Sequence, residues 1–184
     1  MSTKKLLLAM VVLLAGAGTV SAQEAPKWSY IEGGFIDFSP EAGASDDGLF
    51  FGGSMEILRI FHAIAEYDEV GDYSFWNAGF GWHGAFGDPL DAFAEIAWRN
   101  VDYDSGSNDF SDDGASLAAG VRWMLGKNFE LKGTATWADV GDSDATFRAE
   151  GLFYLLGNKL GLGASFELGD ADTARVFARW NLGR

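Results

Sequence analysis

The stretch Gly120–Trp137, GVRWMLGKNFELKGTATW, decides the fold. Val121, Trp123, Phe129, Leu131, Ala135 and Trp137 alternate with Arg122, Glu130 and Lys132, and Leu125-Gly126-Lys127-Asn128 separates the two runs. Successive side chains of a strand point to opposite faces, so period two on both sides of a Gly/Asn turn is a β-hairpin. A near copy of the turn, LGNK, recurs at Leu156–Lys159.

The alternation continues in both directions, and no segment carries a sustained helical stripe. It predicts strands at Trp28–Phe38, Leu49–Leu58, Ile60–Tyr67, Tyr73–His83, Leu90–Val101, Ala115–Met124, Phe129–Trp137, Thr146–Leu155, Leu160–Glu167 and Thr173–Leu182. Each is close to the roughly 9–11 residues that cross a bilayer as a tilted strand. Short connections (Glu56–Ile60, Gly84–Pro89 and the two Leu-Gly turns) alternate with longer acidic ones (Ser39–Gly48, Asp68–Asp72, Asp102–Asp113, Ala138–Ala145 and Leu168–Asp172). That is the rhythm of an up-and-down meander with tight turns on one rim and surface loops on the other. An even strand count returns both chain ends to the tight-turn rim. The longer connections hold sixteen of the 27 acidic residues and no Lys or Arg, whereas Arg59, Lys127, Lys159 and Arg184 fall on the opposite rim.

One strand face is apolar around the whole circuit, for example Leu49, Phe51 and Met55, then Trp76, Phe80 and Trp82, then Ile96 and Trp98, then Leu117, Val121 and Trp123. The other is small or charged: Ser54, Glu56, His62, Glu66, Asn77, His83, Glu95, Arg99, Ser116, Arg122, Glu130, Lys132, Arg148, Glu150, Ser165, Arg175 and Arg179. The first strand is less clean, because Tyr30, Ile36 and Phe38 share parity with Glu32. Alternation alone leaves two orientations, a soluble lipocalin-like barrel with its apolar face inward and a membrane barrel with that face outward. The membrane orientation is expected: the polar face is rich in Gly, Ala and Ser with charges of both signs, and Trp residues sit near strand ends as in an aromatic girdle. The lumen then mixes acids with bases, and their pairing predicts a plugged interior with little or no open-pore conductance.

Lys4 and Lys5, the apolar run Leu6–Ala17 and the small residues Val20-Ser21-Ala22 have the form of a cleaved secretory signal over residues 1–22. The barrel is expected over 23–184, with Gln23–Lys27 as a loose leader. Removing the signal takes two of 13 basic residues and none of the acidic ones, so the exported chain is strongly anionic and unsuited to nucleic acid. With no Cys, an exported chain of this size must hold itself together by other means than disulfides, such as a large core or a closed sheet in lipid.

In YIEGGF at Tyr30–Phe35, FWNAGFGW at Phe75–Trp82 and the hairpin rhythm of Gly120–Trp137, the chain resembles small outer-membrane β-barrels of the opacity-porin and OmpA-transmembrane type. It is most similar to a quorum-regulated proteobacterial barrel family of about ten strands. The resemblance covers the exported chain as rhythm, and implies an all-β transmembrane barrel in the cell outer membrane, assembled by the barrel assembly machinery. Such barrels typically end on an aromatic residue that this machinery reads. This chain ends Trp180-Asn181-Leu182-Gly183-Arg184, which would leave that role to Trp180 and Leu182.

Some barrels are enzymes, but the only histidines, His62 and His83, fall toward the tight-turn rim, away from the outer rim where omptin-like proteolysis is done. Both have lumen parity on neighbouring strands, where they are expected to meet as a hydrogen-bonded pair; proton chemistry or metal binding is the alternative. The acidic run VDYDSGSNDFSDDG at Val101–Gly114 lacks EF-hand spacing, and no catalytic residue, cofactor or metal site is assigned. The function expected is non-enzymatic: envelope integrity or environmental contact through acidic loops, with lipid and lipopolysaccharide as partners bridged by divalent cations. A narrow channel for small solutes or cations is the alternative.

Overall fold

The computed structural model describes residues 25–40, 45–87, 89–104, 109–140 and 142–182. The expected signal sequence therefore lies outside the described residues. Ten strands follow in order: β1 (Tyr30–Pro40), β2 (Asp46–Leu58), β3 (Phe61–Val70), β4 (Tyr73–Ala85), β5 (Leu90–Asp104), β6 (Asp109–Met124), β7 (Phe129–Val140), β8 (Asp142–Leu155), β9 (Leu160–Leu168) and β10 (Ala171–Asn181). Each pairs antiparallel with its chain neighbour. The sheet closes where β1 meets β10, from Tyr30 opposite Asn181 to Pro40 opposite Ala171. Closure leaves no strand edge unpaired, which a bilayer interior requires.

The expected inside-out distribution is observed. Phe35, Phe51 and Phe80 are more than 60% exposed on the outer wall, with Leu49, Ile96, Leu117, Phe147, Leu162 and Val176 beside them. Of the seven Trp, six face outward. Trp82, Trp123 and Trp180 lie toward the tight-turn rim and Trp76, Trp98 and Trp137 toward the other, as girdles at the two lipid–water boundaries do. A lipocalin-like barrel with an apolar interior and a wet outer wall is excluded by this arrangement.

The strands are longer than predicted at the acidic rim. The expected acidic loop Asp102–Asp113 is mostly ladder, with β5 and β6 paired as far as Asp104 opposite Asp109. Only residues 105–108, outside the described residues, remain between them. Asp is depleted in strands because most strands pack at least one face on an apolar surface. Beyond the lipid band both faces are wet, and hydrogen bonding to an already aligned neighbour extends the pairing. The same holds for Asp46 and Asp47 on β2 and for Glu69 on β3, whereas Asp68 turns into the lumen.

β1 proves to run with Tyr30, Glu32, Ile36 and Phe38 inward and Ile31 and Phe35 outward, which resolves its mixed parity. Ile36 joins Phe50, Val70 and Phe177 in an apolar layer inside the barrel, with Phe50 and Phe177 edge-to-face at 5.9 Å. Gly163 makes room for it: a Cβ there would lie 2.6 Å from both Leu152 and Phe177.

Candidate functional site

At the tight-turn end the lumen is stopped by Trp28, which the alternation placed on the first strand. It precedes β1 and turns inward, 5% exposed. Its indole stacks on His83 at 4.3 Å and 9°, lies 4.6 Å from His62, and meets Phe93 edge-on at 5.6 Å. The indole Nε1–H donates to Asp91 at 2.8 Å, and the Arg122 guanidinium sits over the ring at 4.5 Å. Main-chain contacts fix the same segment: Arg122 donates to the Lys27 carbonyl at 2.8 Å and Ser54 to the Trp28 carbonyl at 2.8 Å. Lys27, expected at the end of a loose leader, is thus tied into the barrel end.

The two histidines do meet, with Nδ1 atoms 3.0 Å apart. His62 Nε2 is 3.0 Å from Glu95 Oε1, and His83 Nε2 is 3.8 Å from Glu56 Oε2. Gly81, beside His62 on the neighbouring strand, is necessary here, because a Cβ would fall on the imidazole. Among the described residues no three His, Asp or Glu side chains are grouped to hold a metal ion.

Above the stopper lies an ion-pair layer. Arg122 is bidentate to Glu130 at 2.9 and 3.0 Å, and the Tyr154 hydroxyl donates to the same carboxylate at 3.0 Å. Arg179, fully buried, donates to Glu32 at 2.7 Å and Glu150 at 2.7 Å, and reaches Glu130 at 3.4 Å. Its guanidinium also covers the Tyr30 ring at 4.1 Å. Nearer the acidic rim, Arg175 pairs with Asp68 at 2.7 Å and Glu66 at 3.0 Å, while Arg148 pairs with Glu167 and Glu66. Planar guanidinium forks bridging several carboxylates are how a low-dielectric interior tolerates this much charge.

Between these layers a polar cavity of about 100 Å³, enough for a few waters, is lined by Glu95, Arg99, Lys132, Thr134, Arg148 and Glu150 among others. Toward the acidic mouth Phe38, Tyr73, Phe75 and Tyr103 form a cluster with centroids 4.6–6.0 Å apart.

Most of the charged side chains assigned to the lumen are there. Glu56 is the exception in degree, since its side chain is 42% exposed on the rim. The alternation missed Trp28, Asp68, Asp91, Tyr154 and Glu167. Asp91 and Glu167 have the parity of their inward neighbours Glu95 and Ser165, a signal that strand-end position obscured.

No protein-family model matches the chain, and no curated protein matches it. Among solved structures it is similar to the KdgM porin, with TM-score 0.49 and 8% identity over 84% of this chain and 99% of that one. It is also similar to Ail, the attachment invasion locus protein of Yersinia pestis (TM-score 0.43, 10% identity, 83% and 96% covered). A third is Neisserial surface protein A (TM-score 0.38, 10% identity, 83% and 96% covered). At this distance the likenesses carry no argument about role. The closed ten-strand sheet, apolar wall, paired girdles and charged interior identify a small barrel of the outer membrane on physical grounds.

Proposed function

We propose that this outer-membrane barrel is closed to solutes and non-enzymatic, and that it serves the envelope through its acidic rim. The observation that carries the reading is the Arg179–Glu32–Glu150–Glu130 cluster, which spans the lumen from β1, β7, β8 and β10 directly above the Trp28 stopper. Moving ions past it would break several buried charge-assisted hydrogen bonds together. In this reading the carboxylates on the long ends of β2, β5 and β6 meet lipopolysaccharide phosphates through divalent cations, which lower the repulsion between two anionic surfaces. Trp180 and Leu182, both outward at the tight-turn end of β10, are the groups this reading offers to the assembly machinery.

Single-channel recording in planar bilayers tests the closure. Absence of current steps is expected, and large steady steps would overturn it. A second reading, a narrow channel, draws on the polar cavity lined by Arg99 and Lys132. It requires Trp28 to leave its seat, so Trp28→Ala should raise conductance in that case and leave it at zero in the first.

A further inference from the structure

His62 and His83 form a hydrogen-bonded pair against the Trp28 stopper. Glu95 accepts from His62 Nε2–H at 3.0 Å, so neutral His62 presents a bare Nδ1. His83 must then donate its Nδ1–H across the 3.0 Å gap. That leaves His83 Nε2 as the free acceptor, 3.8 Å from Glu56 at the wet rim. A first proton has a place at that nitrogen, facing a carboxylate. A second has none: it must go to His62 Nδ1, where two N–H groups would point at each other across 3.0 Å between two cationic rings.

Both rings bear on the Trp28 indole, and what opposes the second proton is the 3.0 Å contact between the two Nδ1 atoms. Facing the pair are Glu56 from β2, Asp91 and Glu95 from β5, Arg122 from β6 and Lys132 from β7, with Lys27 on the segment that carries Trp28. Glu95 and Glu56 each face one imidazole Nε2, Asp91 accepts from the indole and Arg122 is held by Glu130, so no carboxylate stands at the gap between the two Nδ1 atoms, where the second proton must go. The rings are also pinned: His62 is fully buried in the space left by Gly81, so it cannot turn away without displacing a neighbour.

We propose that double protonation of His62 and His83 ejects Trp28 and frees the Lys27–Ser29 segment from the barrel end. The pair is thus an acid-operated latch on the N-terminal segment, a property separate from closure of the lumen, since the Arg179 cluster lies above it and stays in place. Release is linked to uptake of each proton that the docked pair cannot hold. The ratio of released to docked forms therefore rises by about tenfold per pH unit for each such proton on the acid side.

The test follows the indole itself in the full exported chain, with 5-fluorotryptophan in every Trp position and detergent covering the six outward ones. The Trp28 fluorine signal is identified by its loss in Trp28→Phe, and a water-soluble gadolinium chelate reports exposure. The signal is expected to be protected at about pH 7.5 and broadened at about pH 4.5, while strand content followed by circular dichroism stays unchanged. His83→Gln retains a donor to His62 but holds no second charge, so its Trp28 signal should stay protected at both pH values; His62→Gln gives an independent copy of the experiment should the first variant not fold. A wild-type signal protected throughout overturns the proposal. So does release in the variants with the wild-type profile, which would assign it to Asp91 or Glu95, or release in the variants at every pH.

Discussion

Arg179→Met is the substitution on which the account of the interior stands or falls. The arginine is fully buried, and its removal takes the partner from Glu32 at 2.7 Å and Glu150 at 2.7 Å. Glu130 is spared, because Arg122 still holds it with two hydrogen bonds. Met fills the stem volume, so the loss is mainly electrostatic. Removing one partner of a buried ion pair costs about 3–5 kcal/mol, because an uncompensated charge remains in low dielectric. The value for Arg179→Met should fall there in urea unfolding of the barrel in phospholipid vesicles, followed by Trp fluorescence. The loss should shrink in acid, where the orphaned carboxylates can be neutralised by protons. The triple change Arg179→Met, Glu32→Gln, Glu150→Gln removes the orphaned charge and should recover most of the stability, a strongly non-additive result. A single-variant loss below about 1 kcal/mol, or a triple variant no better than the single, would mean that water rather than Arg179 compensates these carboxylates.

Three further outcomes are expected from the same unfolding measurement. Phe80→Arg places a charge on the lipid-facing wall and should cost about 2–4 kcal/mol in vesicles, whereas a water-facing wall would register almost nothing. Gly163→Val drives methyl groups into Leu152 and Phe177, already 2.6 Å from an added Cβ, and should cost about 1–3 kcal/mol. Partial rescue by Phe177→Leu would locate the clash. Leu156 holds φ +52° in its turn, so Leu156→Gly should stabilise by about 1 kcal/mol, and a loss instead would show that its exposed side chain anchors in lipid.

What could be read in the sequence was what the solvent enforces. Lipid accepts no polar side chain on the outer wall, so apolar residues recur at every second position from Leu49 to Val176 and the wall could be traced without a structure. The hairpin turns were legible for a related reason, since Gly126 and Gly157 both adopt positive φ. Trp28 was not legible. As an aromatic residue near a strand start it matches the six girdle tryptophans, and what turns it inward is Asp91, 63 residues later, together with two histidines on other strands. The acidic strand ends were hidden because Asp is a poor strand former alone, whereas Asp104 and Asp109 are held by the register of the fifteen residue pairs of which theirs is the last. The meeting of His62 and His83 was accessible because parity and hairpin adjacency together leave little freedom, but the Glu95 and Glu56 ends of that chain needed the register itself.

The seam between β1 and β10 joins the first described strand to the last and brings together residues 147 apart in sequence at Glu32 and Arg179. Glu32 and Arg179 stand directly opposite each other in it and are joined by their side chains. A slip of two residues keeps every outward side chain outward and would pass unnoticed by the lipid, but it would set Glu32 against Phe177 or Asn181 and withdraw Arg179 from its partners. The ion pair therefore separates alignments that the lipid-facing wall does not, since only the observed register joins Glu32 to Arg179.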